Sequence, residues 1–236
     1  MVICYSESEN IKQLFKNAPD LKVSLVNSQE NVASAIVEGS HPVGVFIQLE
    51  ELNERWSGFI SSLKKCYPLL ALYLILPEEQ IAVAEKAGHR VFGLNDESLL
   101  DKVTRELVSV HDQDKRKHPR FDWPLMGKLD LPGRSSEKFR VRSISSSGAF
   151  MESEEYFPEV DSRGTVVITF HDFNLLSGCR ITGKRAISEN LPCGFGIEFT
   201  DLTPTSIEII EEMVEDELLR TLLEPDKPPR PPSIRG

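Results

Sequence analysis

An α/β domain followed by an all-β domain is what the apolar periodicities of this 236-residue chain predict. Up to residue 110, short apolar runs alternate with segments of helical spacing, which implies a doubly wound, parallel five-stranded sheet with helices on both faces. From Pro124, short alternating runs separated by turn residues imply a six-stranded antiparallel β-barrel. After Thr203-Pro204, one long amphipathic pattern adds a C-terminal helix. The length is enough for two domains, each with its own core.

The elements follow in order. Val2 to Tyr5 is an apolar strand, and Ser6-Glu7-Ser8-Glu9 supplies an N-cap with acidic residues in the first turn of a helix carrying Ile11, Leu14 and Phe15. Val23, Leu25 and Val26 mark a second strand; Ser28 starts a helix with Val32, Ala35 and Ile36 that stops at Gly39. Val43 to Leu49 is the third strand, and Phe59, Leu63 and Cys66 mark the next helix. Leu70 to Leu76 is a buried strand ended by Pro77, and the helix Glu78 to Ala87 closes at Gly88. Val91 to Leu94 is the fifth strand, and Asp96 caps a helix that runs to Val110. Polar, aperiodic His111-Asp112-Gln113-Asp114-Lys115 opens a linker over 111–123. The second domain, 124–223, has strands at Leu125 to Leu131, around Phe139 and Val141, at Ala149 to Met151, Thr165 to Phe170, Cys179 to Ile187, and at Phe195, Ile197 and Phe199. Ile207, Ile210, Met213, Val214, Glu217 and Leu218 carry the final helix. Five prolines between Pro225 and Pro232 predict an extended, disordered tail over 224–236.

Composition excludes several functions. The net charge of −10 opposes binding to a nucleic acid polymer or an anionic membrane. It divides evenly, with 15 acidic and 10 basic residues in 1–110 and 22 and 17 in the remainder. Arg116-Lys117-His118-Pro119-Arg120 is therefore a local positive island, suited to a compact anion. The start Met1-Val2-Ile3-Cys4-Tyr5 has no charged n-region, and no apolar run is long enough to span a bilayer, so a cytoplasmic protein is expected. Cys4, Cys66, Cys179 and Cys193 form no C-x-x-C pair, no histidine stands at ligand spacing from them, and no Ser/His/Asp or Cys/His set can be assembled. Reduced structural thiols, no metal, no cofactor and no enzyme activity are the expectations.

In layout, residues 1–110 resemble the receiver domain of two-component response regulators. That family needs an acidic pair after strand one, an aspartate ending strand three, a hydroxyl ending strand four and a lysine ending strand five. The matching positions here are Ser6-Glu7, Gln48, Leu76-Pro77 and Leu94-Asn95. An amide cannot serve as the phosphoryl-accepting nucleophile, and one carboxylate is a poor magnesium site. A receiver-like domain without phosphotransfer remains, acting as a docking or dimerisation surface that allows a homodimer.

The second half carries Arg116-x-x-x-Arg120 and then Ser143-x-Ser145-x-x-Gly148 at the end of a strand. With the Gly-Phe-Gly-Ile-Glu-Phe strand at 194–199, this pairing resembles the PilZ family, over residues 114–220. The resemblance implies a small barrel that binds the bacterial second messenger cyclic di-GMP. A guanidinium fork matches guanine O6 and N7 as well as phosphate, which suits Arg116 and Arg120. Ser145 offers a hydroxyl to a phosphate oxygen, and Gly148 permits close backbone approach. Lys115 precedes the motif, at the position that influences whether one or two stacked ligand molecules bind. Ser143 stands where the family carries Asp or Asn, so one acceptor for guanine N–H groups is shortened, at about 1–3 kcal/mol. The implied function is an effector that turns nucleotide binding into domain reorientation and control of an unidentified protein partner, in motility, adhesion or a related process. A ligand-free adaptor acting by protein contact alone is the other reading of the same motifs.

Overall fold

The computed structural model describes all residues except 19–20, 40–41, 97, 111–118, 187–191 and 234–236, together with the side chains of 108–110. The chain divides into two compact units, Met1–Lys117 with Leu219–Lys227, and His118–Leu218 with Pro228–Gly236.

In the first unit, five strands and five helices alternate: β1 (Val2–Tyr5), α1 (Glu9–Lys16), β2 (Val23–Val26), α2 (Gln29–Val37), β3 (Gly44–Gln48), α3 (Glu54–Cys66), β4 (Ala71–Leu76), α4 (Glu78–Lys86), β5 (Arg90–Gly93) and α5 (Leu99–Val110). All strand pairs are parallel, in the order β2-β1-β3-β4-β5, which is a doubly wound order. Strands β1, β3 and β4 are buried along their whole length, as strands covered on both faces must be. Val2, Cys4, Phe46, Tyr73, Ile75 and Phe92 form one core with Ile11 and Phe15 of α1 and Leu99, Val103 and Leu107 of α5. On the other face, Tyr5 packs at a tilt against Trp56 of α3 with ring centroids 4.7 Å apart. Helix starts follow local chemistry. Ser28 accepts from the Asn31 N–H, and Asn53 accepts from the Trp56 N–H. Asp96 accepts from Lys102 and from Ser98, which hold its carboxyl down at about 2.

The second unit is a closed antiparallel barrel of β6 (Leu125–Asp130), β7 (Glu137–Ser145), β8 (Gly148–Glu152), β9 (Arg163–Thr169), β10 (Asn174–Arg185) and β11 (Gly194–Phe199), in the order β10-β11-β8-β7-β6-β9. Its interior holds Phe139, Val141, Ile144, Met151, Val166, Ile168, Ile181 and Phe195, with Phe139 edge-on to Phe195 at 5.1 Å. Helix α6 (Pro204–Leu223) buries Ile210, Val214, Leu218 and Leu222, one face repeating every four residues. No helix among the described residues is long and apolar enough to cross a membrane.

The tail departs from expectation. Residues 228–233 are extended but anchored rather than disordered. The Trp123 indole N–H donates to the Arg230 carbonyl at 3.0 Å, the Arg230 N–H donates to Glu217 Oε1 at 2.9 Å, and Pro232 is buried. Composition alone misses this because the donors and acceptors that hold the tail lie far away in sequence.

Candidate functional site

Just upstream of β6 the chain is already paired. Phe121 and Ile144 of β7 exchange two backbone hydrogen bonds, each 3.0 Å, in an antiparallel bridge. Phe121 and Trp123 are buried while Asp122 is exposed, and the two rings pack at 4.8 Å. This register sets exposed Arg120 beside Ser145 and Asp122 beside Ser143. Arg142 lies 3.5 Å from Asp122 and 3.7 Å from Glu152, and Arg140 lies 3.4 Å from Glu152.

Strand β7 carries a bulge between Val141 and Ser143. Phe139 and Val141 point inward, Arg142 is the extra residue, Ser143 is half-buried, and Ile144 points inward again. Without the extra residue, strict alternation would turn residue 143 into the barrel. The bulge therefore places Ser143 on the outer face. Phe150 of β8 lies directly across from it, with the Arg185 guanidinium over the Phe150 ring at 4.5 Å. One outer patch thus holds Ser143, Phe150 and Arg185.

The turn from β7 to β8 is held from within. Ser145 is fully buried; its hydroxyl donates to the Gly148 carbonyl at 3.3 Å and lies 3.2 Å from the Ser147 hydroxyl. Ser146 donates to Glu211 of α6 at 2.8 Å. A Cβ at Gly148 would collide with the Ile197 carbonyl oxygen of β11 and sit 3.1 Å from its carbon. The close approach expected at this glycine is made here by a neighbouring strand. A phosphate contact from Ser145 requires its hydroxyl to leave the Gly148 carbonyl.

Of the sequence-predicted site residues, Arg120, Ser143, Ser145 and Gly148 are placed, and all four meet at the β7–β8 end; Lys115 and Arg116 lie outside the described residues. Phe150 and Arg185 were not anticipated, since their place opposite Ser143 depends on strand register. The buried alternation of Phe121, Trp123 and Leu125 was a usable signal that pairing starts before Pro124.

In the first unit, Gln48 ends β3 and is 2% exposed. Its amide oxygen accepts from the Ser6 hydroxyl at 2.8 Å and from the Glu7 and Ser8 N–H groups at 3.1 Å each. Ser8, the N-cap of α1, makes no side-chain cap bond. Gln48 instead holds the turn that leads into α1, accepting from the N–H of Ser8 itself and of the residue before it. Glu7 accepts from the Tyr5 hydroxyl at 2.6 Å, and burial, with the bond to Glu7, pushes the Tyr5 phenol up to about 12. Among the described residues, no group of three His, Cys, Asp or Glu side chains could hold a metal ion.

Residues 114–216 match the family model described as the PilZ domain. Solved structures similar to this chain include three proteins. The Bacillus subtilis inhibitor of motility, MotI/DgrA, is 9% identical, with 46% of this chain and 53% of that chain covered and a TM-score of 0.41. The PilZ domain of YcgR from Escherichia coli with c-di-GMP is 14% identical over 49% of this chain and 100% of that chain, TM-score 0.40. The K. pneumonia MrkH–c-di-GMP complex is 15% identical over 46% and 55%, TM-score 0.41. The chain spans about half the length of the first and the last of these. No curated protein matches the sequence.

Proposed function

Since residues 114–216 of this chain form a PilZ domain, we propose that it is a cyclic di-GMP-binding effector that passes nucleotide binding on to a protein partner in motility, adhesion or a related process. The observation that carries this reading is the Phe121–Ile144 bridge, which sets Arg120 beside the strand end that bears Ser143 and Ser145. Arg116 and Arg120 grip guanine edges and phosphates, and Lys115 influences whether one or two ligand molecules stack. Ser143 is the shortened acceptor for a guanine edge, and the Arg185–Phe150 pair across from it offers a flat cationic surface to a base. Ser145 swings from the Gly148 carbonyl to a phosphate oxygen. Gripping by both arginines ties the chain ahead of the Phe121–Ile144 bridge to the barrel and so fixes the orientation of the N-terminal unit.

That unit acts as a docking or dimerisation surface. The amide of Gln48, which accepts three hydrogen bonds at the end of β3, supports a receiver-like module without phosphotransfer. Calorimetric titration with cyclic di-GMP tests the proposal. The wild-type chain is expected to bind, and Arg116→Ala and Arg120→Ala to lose binding. Unchanged affinity in both variants refutes it. Absence of wild-type binding, with binding gained by Ser143→Asp, assigns the chain to contact-only adaptors instead.

A further inference from the structure

The groove between Trp123 and α6 has a built acceptor and a built donor, and the chain fills it with its own tail. Glu217 is 5% exposed, and its carboxylate receives the Arg230 N–H from outside the helix. The Trp123 indole N–H donates to the carbonyl of that same residue. A third bond, from the His171 N–H to the Pro232 carbonyl at 3.4 Å, holds the far end. The strap therefore docks through its backbone, gripped on both sides of Arg230, with Pro231 and buried Pro232 following. Proline-flanked carbonyls are well suited to an indole donor, because an extended proline-rich segment has already lost most of its conformational freedom and leaves its carbonyls open. Glu212, Asp216 and Glu217 line the groove beside Arg230, so its charge matches an arginine-bearing segment. A half-open groove of about 100 Å³ runs along the strap, lined by Trp123, Met213, Glu217 and Arg230 among others.

We propose that this groove is a recognition site for an extended, arginine-containing proline-rich segment of a partner protein, and that residues 228–233 are its intramolecular competitor. The Trp123 indole, almost wholly buried, loses the carbonyl it donates to when the strap leaves. An emptied groove therefore favours recapture of a segment of the same chemistry. The partner's segment displaces the tail by filling the space the tail leaves. This proposal is independent of nucleotide binding, and its test is run without nucleotide.

The probe is a fluorescein-labelled peptide of sequence KPPRPPS, copied from Lys227–Ser233, followed by anisotropy. Two opened forms are used: a chain ending at Lys227, and full-length Pro232→Asp, which keeps the tail but places a charge at its buried position. Thermal melting by circular dichroism verifies that each is folded. Both opened forms are expected to bind the peptide at least 10-fold more tightly than the wild-type chain. Trp123→Phe in the shortened chain should weaken that binding at least 5-fold, and a peptide with Glu in place of Arg should bind less well. Folded opened forms that ignore the peptide, or that bind it no better than the wild type, overturn the proposal.

Discussion

Gly148→Ala separates two roles for the motif glycine: access for a ligand and close packing of strands. In the folded barrel the added Cβ would overlap the Ile197 carbonyl oxygen and lie 3.1 Å and 3.2 Å from the Ile197 carbon and Glu198 Cα. All three are backbone atoms, so no side chain can rotate away. Relief requires β8 to part from β11 at the Gly148–Glu198 pair, beside the Phe199 N–H to Ser147 carbonyl bond of 3.0 Å. Overpacking of this kind costs about 1–3 kcal/mol. A weakened buried backbone hydrogen bond adds about 0.5–1.5 kcal/mol. Alanine restricts the unfolded chain and returns about 0.4–1 kcal/mol. The net loss is about 0.5–4 kcal/mol, and its centre near 2 kcal/mol corresponds to roughly 10–15 °C in Tm for a barrel of this size. Gly183→Ala is the matched control, because a Cβ there meets nothing within 4 Å. It should be neutral, or stabilising by up to about 1 kcal/mol.

Urea unfolding in a Trp56→Phe background lets Trp123 report on the barrel alone. A loss below about 1 kcal/mol for Gly148→Ala relative to Gly183→Ala would refute the packing argument. If the folded Gly148→Ala protein kept its stability yet lost cyclic di-GMP binding, the glycine would be serving the ligand and not β11.

Three further outcomes are expected. Ser143→Asp, which restores the longer acceptor on the outer face, should raise affinity for cyclic di-GMP roughly 5- to 150-fold in calorimetry, the equivalent of about 1–3 kcal/mol; no gain would mean that residue 143 does not face the ligand. Gln48→Leu removes the acceptor of the Glu7 N–H, whereas the Ser6 hydroxyl keeps the Ser8 carbonyl as a partner and the Ser8 N–H keeps Ser6 Oγ. It should destabilise the first unit by about 1–3 kcal/mol, measured through Trp56 fluorescence in a Trp123→Phe background, while leaving the barrel transition in place. Burial pushes the Cys4 thiol up to about 12 and the Cys179 thiol up to about 11, from an ordinary value of 9.0. At pH 8 iodoacetamide should therefore label Cys66 and Cys193 well before either of them, as read by mass spectrometry. Because these folded-state values are raised, stability is full below pH 9 and falls as the unfolded thiols ionise above it. Cys4→Ala should flatten that decline between pH 9 and 12, and an unchanged slope would contradict it.

The parallel domain was legible because its strands are buried on both faces and so appear as unbroken apolar runs, and because Ser28, Asn53 and Asp96 mark helix starts by local chemistry. The barrel was legible only where side chains alternate in the usual sense. Strand β10 begins at Asn174, five residues before the sequence places it, because its first turn of the pattern is inverted: Leu176 is 68% exposed while Ser177 is 2% exposed. Ser177 tolerates burial by donating to Asp201 at 2.9 Å, a partner that no local window contains. The docked tail escaped for the same reason, since Trp123 and Arg230 are 107 residues apart.

The site shows a subtler limit. Spacing identified Arg120, Ser143, Ser145 and Gly148 as a group, and the fold does bring them to one strand end. Spacing carries no information on which way each side chain faces, because a single bulged residue reverses the sense of everything after it. The bulge at Arg142 turns Ser143 outward, whereas Ser145 closes a turn onto Gly148 and Gly148 accommodates the backbone of β11. Two of the four therefore shape the rim and two lie on its outer surface. Substitutions at Gly148 should then be read out first in barrel stability, and substitutions at Arg120 and Ser143 first in ligand affinity.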